Sequence, residues 1–77
     1  MVEYIAIIND YHEVWNMPCG GMYPIIFSAN NKKEAIQITE EICNEKIRSI
    51  LEIKGVSSNI QISCLEILTL SEFNLIQ

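Results

Sequence analysis

Basic residues are scarce in this sequence, and they are confined to one stretch. Lys and Arg number 5 against 10 Asp and Glu, for a formal net charge of -5. All five cations lie between Lys32 and Lys54. Residues 1–31 carry Glu3, Asp10 and Glu13 and no Lys or Arg, and residues 55–77 carry only Glu66 and Glu72. Nucleic-acid binding draws most of its affinity from cations that displace counterions from phosphates. With no basic stripe to do that, direct DNA or RNA binding is not expected. The charge balance points instead to a protein partner with a basic surface.

Other absences narrow the class further. The three cysteines, Cys19, Cys43 and Cys64, are odd in number, widely spaced and without a CxxC pair. That reads against a disulfide scaffold and suits a reducing cytoplasm. His12 is the lone histidine, so potential metal ligands are scattered and no metal site or other cofactor is expected. Glu3 interrupts the N-terminal apolar stretch and no long apolar run follows, so neither a signal peptide nor a membrane span is expected. Charged residues are only 19% and hydrophobic ones 49%, which favours folding over disorder. A length of 77 residues allows one small domain over 1–77. A chain this short is near the lower limit for an independent core, so a homodimer or partner complex is a fair expectation. Fifteen Ile against three Val, with seven Asn, suggest an AT-rich coding sequence.

The pattern along the chain predicts β-β-α-β. Residues 2–9 read as a strand apolar on both faces, suited to the centre of a sheet. Asp10, Asn16, Pro18, Gly20 and Gly21 punctuate residues 10–21, which read as a loop or long hairpin connection. Residues 22–29 read as a second strand, placed at an edge by Pro24, which has no N–H to donate. Asn31 with Glu34 resembles a capping box and opens a helix from about Lys32 to about Lys54, with Gly55 at C′. After a turn over residues 56–59, residues 60–70 read as the third strand. Its alternation breaks at Cys64-Leu65, which predicts a bulge. Ser71-Glu72-Phe73 can open a short terminal turn. The expected fold is α+β: a three-stranded antiparallel sheet of order 2-1-3, with one long helix packed on one face and a right-handed crossover.

The helix carries the most informative surface. At 100° per residue its apolar positions, from Ala35 to Ile53, spread over more than half the circumference. A helix packed only on its own sheet needs a narrower stripe, so a flank against another subunit is one reading. On the opposite arc Glu34, Glu41, Glu45 and Glu52 fall within a narrow angular range and form an acidic rail. The rail reads either as a solvated face, softened by Arg48 near Glu45 and Glu52, or as a surface that docks on a cationic groove.

Candidate chemistry is thin. His12 and Cys19 are a formal base and thiol, but no third, orienting group is identifiable from the sequence, and a surface-loop histidine is the plainer reading. Pro18-Cys19-Gly20-Gly21 reads as a turn, since no Lys-Ser/Thr follows as in a phosphate loop. Cys43 and Cys64 read as small apolar residues. Glu40 and Glu41 are adjacent on a helix and point about 100° apart, so they cannot share a substrate. No enzyme is expected. Trp15, Tyr11, Tyr23, Met17 and Met22 gather around the expected loop. They read either as a contact loop, with Trp15 and Tyr23 as anchors, or as a flap that caps a small core.

Residues 23–42, with a strand, Phe27-Ser28-Ala29 and Glu34-Ala35 opening a helix, resemble many small proteins of phages and mobile elements. In size, acidity and lack of an active site the chain is similar to phage anti-defence proteins, including anti-CRISPRs. That resemblance is one of type. It implies an inhibitor that occupies a basic nucleic-acid-binding surface of a host defence complex. The same segment also resembles HicB-like antitoxins, whose strands precede an E-A helix. That alternative implies an antitoxin or small regulator, and a self-assembling structural subunit is a third reading.

Overall fold

The computed structural model describes residues 1–75. Strand β1 (Val2–Val14) is followed by β2 (Met17–Ala29), helix α1 (Lys32–Leu51), β3 (Gln61–Thr69) and a short helix α2 (Leu70–Leu75). The sheet order is β2-β1-β3 with both pairings antiparallel, and α1 packs on one face, as the sequence pattern predicts.

The apolar composition of β1 explains its central place. Tyr4, Ala6 and Ile8 point toward α1 and are buried. They pack with Ala29, Ala35 and Cys43, and Phe27, Ile25 and Ile67 close the cluster. Each large side chain removed from water there contributes about 1.5–3 kcal/mol. Ile7 pairs with Glu66 but Ile8 pairs with Cys64, so Leu65 is the extra residue of a β-bulge. The bulge falls at the expected Cys64-Leu65 step. It restores Ile67 to the helix side, where Ile62 and Cys64 also lie. Pro24 sits on β2, an edge strand, as its missing N–H requires.

The hairpin corrects the expected loop over residues 10–21. β1 runs on to Val14 and β2 starts at Met17, with paired registers throughout. Only Trp15 (φ 54°) and Asn16 (φ 65°) turn the chain. Two successive left-handed residues are the type I′ arrangement, whose twist matches that of the flanking strands.

At the start of α1, Asn31 is extended and its side chain accepts from the Glu34 N–H at 2.9 Å. The Glu34 carboxylate reaches past Asn31 to Asn30, accepting from its backbone N–H (3.3 Å) and its side-chain amide (3.0 Å). The helix ends at Leu51, short of the expected Lys54. The Glu52 N–H donates to the Ser49 carbonyl at 3.3 Å, an i to i-3 bond that tightens the last turn. Gly55, expected at C′, is beyond that turn, and its φ of +90° serves a contact with Trp15 instead.

At the start of α2, the Thr69 N–H donates to Glu72 Oε1 (2.9 Å) and the Glu72 N–H donates to Thr69 Oγ1 (3.0 Å). This reciprocal box holds the Glu72 carboxyl below its ordinary value of 4.5, through its bonds with the Thr69 backbone and hydroxyl. A lowered carboxylate favours the folded cap above the unfolded value and loses that advantage as pH falls through the folded one. An NMR titration is expected to show the Thr69 and Glu72 amides shifting together only below about 4.5, while the β1 amides stay in place.

The radius of gyration is 14.0 Å and the principal extents are 40 × 24 × 12 Å, against about 11.5 Å for a compact chain of this length. The molecule is a two-layer slab. The face opposite α1 carries Ile5, Ile7, Met22, Pro24, Ile26 and Leu68 by strand alternation and register. On this face Ile5 is only 4% exposed, while Met22 is 68% and Ile26 61% exposed.

Candidate functional site

The structure gives the four glutamates of the acidic rail different surroundings. Glu34 is engaged at the helix start, accepting from Asn30. Glu52 is the C-cap residue and is exposed. Glu41 and Glu45 are exposed and border a shallow open groove with Ile42, Lys46 and Ser49. Arg48 donates to Glu45 at 3.2 Å, but the two side chains are 73% and 75% exposed, so water screens the pair and it holds little energy. Two of the exposed cations make contacts with the protein. The Lys32 ammonium donates to the Ile67 carbonyl at 2.8 Å, and Lys46 lies 6.0 Å from the centre of the Tyr23 ring.

Trp15 and Tyr23 do not share a surface. Trp15 occupies the hairpin tip and donates its backbone N–H to the Gly55 carbonyl at 2.8 Å. A Cβ on Gly55 would stand 2.3 Å from its indole, so the ring rests directly on the Gly55 backbone. The tip is also held by the Ser57 N–H donating to the Glu13 carbonyl at 2.9 Å. One face of the indole is thereby covered, yet Trp15 remains 66% exposed. Tyr23 lies on β2 opposite Ile8 and faces α1. Burial, then the nearby Asp10 and Cys43, push its phenol above the ordinary value of 10.0. Tyr23 is thus half-buried at the helix seam and belongs to the core, and the expected contact loop dissolves into two separate places.

The structure supplies the third group missing from the sequence reading. His12 Nδ1 lies 2.8 Å from Asp10 Oδ1, and Asp10 is 5% exposed. Residues two apart on a strand share a face, so Asp-Tyr-His spacing was the available signal. Cys19 is the register partner of His12. Its thiol donates to the Met17 carbonyl at 3.5 Å and not to the imidazole. The pair therefore lacks the nucleophile-to-base hydrogen bond of a thiol catalyst, and Asp10-His12 acts as a tie within the helix side of the hairpin. Cys43 and Cys64 both have raised thiol values, chiefly from burial, which keeps them protonated and apolar in character.

Among the described residues no three His, Cys, Asp or Glu side chains group closely enough to hold a metal ion. No helix among them is long and apolar enough to cross a membrane. Comparison with protein-family models, curated proteins and solved structures finds no match to this chain. The site therefore rests on its geometry and charge.

Proposed function

We propose that this chain is a non-catalytic binding protein of the phage anti-defence type, which occupies a basic, nucleic-acid-binding surface of a host complex. The division of charge supports this reading. The sheet layer and α2 hold Glu3, Asp10, Glu13, Glu66 and Glu72 with no Lys or Arg, while the stretch from Lys32 to Lys54 balances five cations against five glutamates. On that balanced side Lys32 bonds the Ile67 carbonyl and Lys46 lies near the Tyr23 ring, while Glu40, Glu41 and Glu52 are exposed. An acidic field of this kind speeds encounter with a basic surface and is screened by salt. The test is a tagged pull-down from lysates expressing candidate defence systems, at low and high salt, followed by affinity measurement on the recovered complex. Glu41→Lys with Glu45→Lys is expected to weaken that complex at least tenfold, about 1.4 kcal/mol, with unchanged thermal unfolding. Unchanged affinity in the double variant removes α1 from the contact.

A second reading is an antitoxin or small regulator that binds through apolar surface. The exposed Trp15 (66%) and Met17 (68%) at the hairpin tip favour it. In that case Trp15→Ala reduces binding and added salt does not.

A further inference from the structure

We propose that the open face of the sheet is a docking site for a basic amphipathic helix of the partner. The inference rests on the reading of a basic partner and adds a second contact with that partner, on the face opposite α1. It starts from Ile7, Met22, Pro24, Ile26 and Leu68, which the registers of both strand pairs place on one face around the buried Ile5. Ile26 and Met22 are mostly exposed there. Exposed apolar side chains gathered in one patch on a small domain mark an interaction surface.

Charge selects the occupant. The two acidic side chains beside this centre are Glu3, two residues from Ile5 on β1, and Glu66, opposite Ile7 on β3. Both are exposed, and no Lys or Arg lies on any strand. Two copies placed face to face would set carboxylates against carboxylates with no countercharge, which opposes a homodimer through this face. A helix with an apolar stripe flanked by Lys or Arg pairs both carboxylates while covering the centre. The shape also fits. Strands about 4.8 Å apart make a three-stranded sheet wide enough for one helix about 10–12 Å across, and α1 already occupies the opposite face of the same sheet in that way. From Glu3 to Tyr11 the face runs about 27 Å, the length of about 18 helical residues. The docked helix completes a third layer on the slab.

The probe is a synthetic helix of about 18 residues with Leu along one stripe and Lys on both flanks, titrated into the isotope-labelled full chain. A twin peptide carries Glu in place of every Lys. The expected result is saturable movement of the Ile5, Ile7, Ile26 and Leu68 amides with the Lys peptide, and binding at least tenfold weaker with the Glu twin or at high salt. Ile26→Lys is expected to cut affinity at least tenfold, and because Ile26 is 61% exposed the fold should tolerate it. Glu41→Lys with Glu45→Lys should leave the peptide affinity unchanged, which separates this face from α1. The proposal is overturned if the moving amides map to α1, if the Glu twin binds equally well, or if no saturable binding occurs. It is also overturned if the free chain sediments as a dimer that Ile26→Lys dissociates, since the occupant is then a second copy. If these peptide results stand while the pull-down recovers no basic partner, the docking face holds and the defence-complex reading fails.

Discussion

Gly20→Ala is expected to destabilise the fold by about 3 kcal/mol, through steric overlap and left-handed strain together. A Cβ built on Gly20 stands 2.3 Å from the Asp10 carbonyl oxygen, 2.9 Å from its carbonyl carbon and 3.1 Å from Oδ1. Two of those atoms are backbone of the central strand, which cannot yield without opening the β1–β2 ladder. The φ of +98° at Gly20 adds strain for any residue with a side chain. For a domain of this size the loss corresponds to a fall in Tm of about 12–24 °C. Gly21→Ala is the control. Its φ is +151° but nothing lies within 4 Å of the added Cβ, so a loss of about 1 kcal/mol is expected. Thermal unfolding of the two variants side by side checks this. Equal losses would show that backbone strain, and not the approach to Asp10, sets the cost.

His12→Ala is expected to cost about 2–4 kcal/mol, because it leaves the Asp10 carboxyl buried without its partner. Asp10 is 5% exposed and His12 Nδ1 lies 2.8 Å from it. Asp10→Asn keeps an acceptor at that place and should cost less than half as much. In the double variant Asp10→Ala with His12→Ala the stranded group is gone, so the loss should be smaller than the sum of the two alanine singles. Urea unfolding of the set measures this coupling. A neutral His12→Ala would mean that water reaches Asp10 and that the tie contributes little to the hairpin.

Much of the architecture is legible in the sequence for identifiable reasons. The apolar run through Ile5–Ile8 can only be satisfied at the centre of a sheet, Pro24 demands an edge, and Asn31 opens the helix. The parity break at Cys64-Leu65 marks the bulge because Ile67 must return to the core. The hairpin was not legible. A type I′ turn announces itself by Asn-Gly or Asp-Gly, and here Trp15 takes the first left-handed position, held there by its contacts with Gly55. Pro18, Gly20 and Gly21 look like loop punctuation, yet an edge strand accepts them. The helix ends earlier than the pattern predicts because Gly55, which reads as a C′ residue, serves the Trp15 contact. Periodicity places Glu34 on the acidic arc but says nothing of its bonds to Asn30. The Asp10-His12 tie depends on burial at residue 10, which a loop assignment over 10–21 conceals.

The two margins of the sheet have a consequence for behaviour at high concentration. On β2, Pro18 and Pro24 offer no N–H to an incoming strand. On β3, the bulge at Leu65 breaks the regular ladder and the Lys32 ammonium already occupies the Ile67 carbonyl. A flat, unguarded margin is the template on which cross-β fibrils grow. With both margins interrupted, this Ile-rich chain is expected to resist lateral polymerisation even while one broad face stays apolar. Its associations are thereby directed to side-chain faces, where a partner can be chosen by shape and charge.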